Sequence, residues 1–297
     1  MNPQKRIIAR DRDHLLELIE EAFETEGKRC DLNFIDVSQV TDMHDLFAER
    51  SFRGNVSEWD VSNVTDMSGM FFEDGPILNL DTGEEEERIP FDIGIGNWDV
   101  SNVTDMSHMF NGSNFNGDIS RWNVSNVEKM ACMFDESLFN GDISNWNVSK
   151  VQDMMGMFRK SRFTGDISCW NVSNVRNMRD MFSGSQFNGD VSDWNVSNVT
   201  NMAYMFSISP FNGDVSRWNV SNVTDMNAMF SETPFNGDVS RWDVHNVTNM
   251  ILMFEQSEFN GDVSKWNVPK AANVGDMFEN SALEKAGKIP KWYKDFH

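Results

Sequence analysis

A 24-residue period runs through almost the whole of this 297-residue chain. Eight tryptophans mark the period, and each of them opens nearly the same motif. A fixed period of this length indicates stacked repeats, because a short unit cannot bury its apolar face alone and must pack against its copies. The period-marking residues are Trp98, Trp122, Trp146, Trp170, Trp194, Trp218, Trp242 and Trp266.

The other large apolar residues keep fixed positions within each period. After Trp122 come Val127, Met130, Met133 and Phe134, and the same residue types recur in the later periods. The period also extends towards the N-terminus, since Ile35 precedes Trp59 by 24 residues and opens a matching motif. The chain therefore has about ten turns, which begin at residues 35, 59, 98, 122, 146, 170, 194, 218, 242 and 266.

The spacing within a turn predicts its course. Ile119, Trp122 and Val124 fall at i, i+3 and i+5, which is the spacing of a leucine-rich repeat and predicts a short parallel strand. The Met and Phe residues that follow predict an arc of tight turns or one short helical turn. The Asn-Gly-Asp triplet at 140–142 predicts a closing turn, with Gly141 at positive φ and Asp142 bonded to its own backbone.

The repeated motif resembles that of the BspA-like surface proteins. These carry a Treponema-type variant of the leucine-rich repeat, which is also found as a bacterial and mycoplasmal surface-protein repeat of unknown function. The resemblance depends on Trp-Asn-Val-Ser-Asn-Val-Thr-Asp-Met-x-x-Met-Phe, as in residues 218–230, and covers about residues 31–285. It implies a right-handed, leucine-rich-repeat-like solenoid used for protein–protein contact, often in adhesion at the cell surface.

The two ends of the chain depart from the period. Residues 1–30 predict an N-terminal capping helix in which Asp13 is the N-cap, the helix runs to about Thr25, and Gly27 ends it. Residues 31–270 form the predicted repeat region, and residues 271–297 a degenerate C-terminal cap in which Trp292 does not fit the period. Both caps are expected to cover apolar surface at the ends of the stack.

One turn contains an insertion. Trp59 and Trp98 are separated by 39 residues instead of 24, and the 15 additional residues lie within about 72–90. A protruding loop on a repeat array is often functional, but a surface insertion is also well tolerated, and the sequence leaves both readings open. The insertion includes the acidic run Glu84, Glu85, Glu86 and Glu87.

The composition limits the classes of partner. The chain has 25 basic and 47 acidic residues, a formal net charge of −22, which argues against nucleic-acid binding and favours a basic partner or simple solubility. Its three cysteines suggest neither a disulfide framework nor a zinc site. We expect a monomer without a membrane span. The absence of a secretory signal favours the cytoplasm, whereas the resemblance favours the cell surface.

The best predicted binding surface surrounds the residue before each Trp, which varies between turns. In the late turns this position places Arg217, Arg241 and Lys265 in one basic line, unless the nearby aspartates neutralise it. Tyr204 is a further candidate as an exposed aromatic residue. The predicted partner-binding set is Arg121, Asn145, Asp193, Tyr204, Arg217, Arg241 and Lys265, with Glu84, Glu85, Glu86 and Glu87 of the insertion.

The sequence predicts a non-catalytic protein-interaction scaffold with no cofactor. Its five histidines are scattered off the period, and no nucleophile–base set or phosphate loop stands out. One alternative is an acidic mimic that binds basic nucleic-acid-binding proteins. A second is a calcium-stabilised module, because one Asp recurs in most turns, although calcium needs six to eight oxygens and the calcium-binding glycine-rich repeat is absent.

Overall fold

The protein is a stack of coil-like turns with very little regular secondary structure. The computed structural model describes residues 6–74 and 90–296. Within these residues, β1 and β2 pair in parallel, and later turns are joined by single parallel bridges at one residue each, from Asp42 to Asn273. The elements are β1 (Ile7–Ile8), α1 (Arg12–Glu26), β2 (Ile35–Asp36), a 3-10 helix (Ile95–Asn97), α2 (Ala282–Lys285) and α3 (Lys291–Lys294).

The core consists of columns in which each side chain lies above its copy in the next turn. The Phe134 ring lies 5.7 Å from that of Phe110 and 5.7 Å from that of Phe158, nearly parallel to both. Trp122 and Trp146 are stacked with their ring centroids 6.4 Å apart. Stacked aromatic pairs contribute roughly 0.5–1.5 kcal/mol each beyond burial, so the columns stabilise every junction between turns.

Each tryptophan also makes a polar contact that the sequence analysis missed. The indole Nε1 of Trp146 donates to the carbonyl oxygen of Ile119 in the preceding turn at 3.2 Å, and the same bond recurs along the stack. The ring is buried while its only polar atom is satisfied. Tryptophan therefore joins adjacent turns by both stacking and hydrogen bonding.

The predicted strand around the tryptophan is wrong. Around Trp122 these residues, 118–127, form consecutive tight turns, which we call the Trp face together with the equivalent residues around the other tryptophans. The Trp122 N–H donates to the Ile119 carbonyl, and the Asn123 side chain accepts from the Ser125 N–H. Because these amides bond within their own turn, they cannot form a ladder with the next one.

The segment after the Trp face joins neighbouring turns through its backbone. We call residues 129–138 of turn 4 and their equivalents the arc. Alternate N–H groups of the arc donate to carbonyls of the next turn, and left-handed residues at Cys132 (φ 54°) and Glu136 (φ 54°) give the chain this alternating course. The four donors in turn 4 are Met130, Cys132, Phe134 and Glu136, at 2.7–3.0 Å from their acceptors. The arc is therefore a series of turns, and the alternative of a short helical turn does not hold.

Two small residues of each turn depart from what their positions in the repeat predict: the turn glycine and a buried serine, whose hydroxyl was expected to bond a neighbouring turn. The glycine of the Asn-Gly-Asp triplet was expected at positive φ, but Gly141 is absent from the left-handed residues, and a Cβ there would lie 2.9 Å from the Phe139 ring. Glycine is required at this position for space. The buried serines Ser137, Ser161 and Ser185 bond their own turn rather than a neighbouring one, as in Ser185 Oγ donating to the Phe182 carbonyl.

The two caps cover the ends of the stack in different ways. Helix α1 packs Leu15, Ile19 and Ala22 into the core, and its N-cap is Asp11, whose carboxylate accepts from the His14 N–H; Asp13 lies inside the first turn. At the other end, Trp292 stacks on Trp266 with centroids 6.5 Å apart and donates its Nε1 to the Val263 carbonyl. The C-terminal cap therefore imitates an additional turn, although Trp292 does not fit the sequence period.

Candidate functional site

The residues before each tryptophan form an exposed line, which we call the pre-Trp column. Arg217 and Asp193, one turn apart, form an ion pair with 2.8 Å between Nη2 and Oδ1. Arg241 and Lys265 continue the line towards the C-terminus and are exposed, while Arg121 and Asn145 lie in the same column several turns away. Arg217, the first residue of the basic line predicted for the late turns, is therefore paired to Asp193.

A second line of charges runs beside the pre-Trp column. Seven aspartates from Asp118 to Asp262, each following a turn glycine, accept from the N–H of the serine two residues later, as predicted for a turn residue. A hydrogen bond from the Ser240 backbone, together with the charge of Arg241, holds the pKa of Asp238 below its ordinary value. The same arrangement lowers the pKa of Asp262 beside Lys265. The basic line is thus partly neutralised by ionised carboxylates.

Tyr204 does not belong to this surface. It lies in the arc with a left-handed backbone (φ 59°) and is half-buried, and the Arg179 guanidinium lies over its ring at 5.4 Å from the centroid. Arg179 also pairs with Asp180 at 3.0 Å. Tyr204 is therefore part of a separate cluster on a different segment of the turn from the pre-Trp column.

The ends of the insertion are held together by one arginine. Arg53 Nη1 pairs with Glu73 Oε1 at 2.8 Å, and its guanidinium lies 3.8 Å from the centroid of the Phe91 ring. Glu73 is 8% exposed, so this charged pair is largely removed from water. Glu84, Glu85, Glu86 and Glu87 lie outside the described residues.

One exposed apolar residue on the arc was missed by the sequence analysis. Ile208 is 59% exposed and has φ 56°, a left-handed conformation that β-branched residues rarely adopt. At the same position, Gly184 precedes it by one turn and Glu232 follows it by one turn. A comparison of every variable column, rather than the pre-Trp column alone, would have singled out this isoleucine.

An open groove lies at the C-terminal end of the stack. Its volume is about 590 Å³, and its lining combines Phe278 and Tyr293 with the carboxylates of Asp276, Glu279 and Glu284. The Asn280 N–H in the last turn already donates to Glu284 Oε2 at 2.7 Å. The cap therefore already satisfies one of the backbone N–H groups exposed by the last turn of the stack.

Residues 6–74 and 90–296 contain neither a metal-binding cluster nor a membrane-spanning helix. No group of three or more His, Cys, Asp or Glu side chains in this part of the chain is arranged to hold a metal ion. No helix in the same residues has both the length and the apolar character needed to cross a bilayer.

Comparison with known families identifies the repeat. A family model described as "Mycoplasma protein of unknown function, DUF285" matches residues 17–84, 84–188, 138–233 and 183–292. The chain belongs to this family. Its four overlapping matches confirm the prediction of a repeat protein, while the description assigns no ligand or activity. No curated protein and no solved structure matches the chain.

Proposed function

We propose that the chain is a non-catalytic scaffold that binds a protein partner through the pre-Trp column, aided by the insertion. The observation that supports this proposal is that the repeated side chains serve the packing and hydrogen bonding of the stack itself. The recurring Trp, Met and Phe residues are buried between turns, and the recurring Asp side chains bond their own backbone. What remains exposed and variable is a set of surface positions, as expected of a repeat protein that binds over an extended face.

The resemblance to BspA-like proteins supports the same proposal. It extends the proposal to a right-handed, leucine-rich-repeat-like solenoid with a role in adhesion at the cell surface. Specificity would come from differences between turns, with many shallow contacts spread over several columns. Single alanine substitutions at exposed positions would then weaken binding only slightly, except at a hot spot.

The test is affinity capture with three forms of the chain, followed by quantitative mass spectrometry of proteins from the source organism. The first is intact. The second lacks 75–89, a deletion that restores the 24-residue period and keeps the Arg53–Glu73 pair. The third carries Arg217→Glu, Arg241→Glu and Lys265→Glu, and its matched control carries Arg162→Glu, Arg176→Glu and Lys285→Glu.

The expected result is a partner recovered by the intact chain and the control but lost from the variant of the pre-Trp column. Loss on the deletion alone would assign binding to the insertion. Equal recovery by all forms would refute the proposal that these surfaces bind.

A second candidate function is acidic mimicry of nucleic acid. One observation favours it: the Asp line at positions 118, 142, 166, 190, 214, 238 and 262 is exposed and hydrogen-bonded so that the pKa of each carboxyl is lowered. A purified basic DNA-binding protein should then bind the chain, compete with duplex DNA, and dissociate as salt increases. Binding that did not change with salt would exclude this function.

A further inference from the structure

The arc carries an apolar patch that packing within the chain does not explain. We define the Ile208 patch as Tyr204, Ile208, Pro210 and Pro234. Three large hydrophobic side chains are exposed among the described residues, and Ile208, at 59%, is the most exposed of them; the others are Ile7 and Ile8 in β1. Pro210 and Pro234 are also exposed and occupy equivalent positions in adjacent turns.

The backbone at Ile208 is strained, which is a second feature that folding does not explain. An isoleucine at φ 56° is strained, because its branched Cβ lies close to its own backbone in the left-handed region. Neighbouring turns place glycine, glutamate or glutamine at the same point. Folding alone therefore disfavours isoleucine here, and strained exposed residues concentrate at binding sites.

The prolines remove bonds that other turns make. At the position of Pro210, Gln186 donates its backbone N–H to the Ser161 carbonyl at 3.3 Å, and Glu258 donates to the Thr233 carbonyl at 3.1 Å. Proline has no N–H and cannot make this bond. Two adjacent turns therefore replace a bond between turns with exposed apolar surface beside Ile208.

The charges around the patch indicate what it would bind. The Ile208 N–H donates to the Ser231 carbonyl at 2.9 Å, which places the exposed Glu232 beside Ile208 in the next turn. Glu258 follows Pro234 in its column and is also exposed. On the opposite side Gly184 offers no side chain, and Arg179 is already paired with Asp180. The free charges at the C-terminal side of the patch are therefore acidic.

We propose that the Ile208 patch docks a segment of another protein in which an apolar side chain is followed closely by lysine or arginine. The apolar side chain would cover Ile208, Pro210 and Pro234, and the basic group would face Glu232 and Glu258. A basic partner also suits the formal net charge of −22, which disfavours association of two copies of this chain. The inference rests on the proposed function because it specifies the chemistry of a protein partner.

The probe is a phage-displayed library of random peptides about 12 residues long, a length that spans several turns when extended. It is panned on the intact chain, on Ile208→Gly and on the matched control Gln256→Gly. Gln256 occupies the same column with φ 52° and lies outside the patch, so both variants relieve left-handed strain at an exposed residue. The melting temperature of Ile208→Gly should equal or exceed that of the intact chain, which separates loss of binding from loss of folding.

We expect peptides that bind the intact chain and Gln256→Gly at least about tenfold more tightly than Ile208→Gly, the size of effect of a hot-spot residue. These peptides should share an apolar residue next to Lys or Arg. Their affinity for the chain should fall when Glu232 is replaced in Glu232→Gln. Peptides selected in this way would support the patch even if charge reversal in the pre-Trp column changed nothing.

Three outcomes would overturn the inference. In the first, every selected peptide binds Ile208→Gly as tightly as it binds Gln256→Gly. In the second, the peptides that bind Ile208→Gly more weakly contain no lysine or arginine. In the third, the intact chain self-associates in sedimentation and Ile208→Gly does not, which would assign the patch to a second copy.

Discussion

The Trp face and the arc join the same turns by opposite means. On the Trp face backbone amides bond within each turn, and side chains connect the turns through Trp Nε1 and through amides such as Asn198 Nδ2, which donates to the Ser173 carbonyl at 2.7 Å. In the arc the backbone itself connects the turns. Outside the variable pre-Trp column, most residues of the Trp face are therefore constrained by their structural roles, whereas outward positions of the arc are free to differ. This freedom allows Tyr204 and Ile208 to occur where they do.

The largest expected effect comes from removing a connecting side chain of the Trp face. Trp170→Ala should lower the free energy of unfolding by about 3–5 kcal/mol, because it leaves a cavity and removes the Nε1 bond to Ile143. Tyr204→Ala on the arc should cost less than about 1 kcal/mol. Urea denaturation of both variants measures the difference, and equal losses would contradict the distinction between the two regions.

A smaller loss of stability is expected from adding a side chain at a turn glycine. Gly189→Ala would place a Cβ 2.8 Å from the Phe187 ring and should destabilise the protein by about 1–3 kcal/mol. Adding Phe187→Leu should make the glycine substitution less costly, because the nearest ring atoms are then gone. The double-mutant cycle is measured by thermal unfolding. Additive effects would mean that glycine is needed there for its backbone conformation.

Natural variation within the stack allows a smaller test. Turn 5 has Lys150 where the two adjacent turns have Asn126 and Asn174, and the Lys150 Nζ bonds the Asn126 side chain instead of a backbone carbonyl. Lys150→Asn should stabilise the chain by up to about 1 kcal/mol, and Asn198→Lys should destabilise it by a similar amount. Urea midpoints measure both changes. If the two shifts have the same sign, the asparagine bond does not stabilise the junction between turns.

The smallest expected effect is on how the stability of the protein changes with pH. Hydrogen bonds from Ser168 lower the pKa of Asp166 in the folded chain, so its contribution to stability is present above the ordinary Asp pKa and is lost as the pH falls through the folded value. Asp166→Asn keeps an acceptor oxygen but does not titrate. The variant should be slightly less stable than the parent at pH 7, and the two melting temperatures should converge on acidification. A constant difference from pH 7 to pH 3 would refute this assignment.

Sequence reasoning recovered the repeats because apolar periodicity reports burial directly. Trp122, Met130 and Phe134 are all buried as the spacing required. It placed a strand at Trp122 because i, i+3, i+5 spacing fits several backbone courses, and spacing does not say where each amide donates. The sequence also did not reveal the left-handed residues of the arc. Glycine is the usual signal of positive φ, and most of these positions, such as Cys132 and Leu252, hold other residues.

The candidate surfaces were only partly predictable. Exposure of the pre-Trp column follows from its place beside a buried tryptophan, so Arg217 and Lys265 could be found from the sequence. Tyr204 was predicted to be exposed, but it is half-buried with the Arg179 guanidinium over its ring, a contact between turns that its own sequence position does not indicate. Ile208 was missed because only the pre-Trp column was compared between turns, and its strained φ of 56° cannot be read from the sequence.

Hydrogen exchange at single-residue resolution tests the central claim most directly. If the arc backbone joins the turns, the amides of Met130, Cys132 and Phe134 should exchange only on opening of the stack. The amides of Ser120 and Ser125, held by neighbouring side chains, should exchange at least about a hundredfold faster. Protection of alternate amides across 119–124, with rapid exchange in the arc, would contradict the account and restore a strand at the tryptophan.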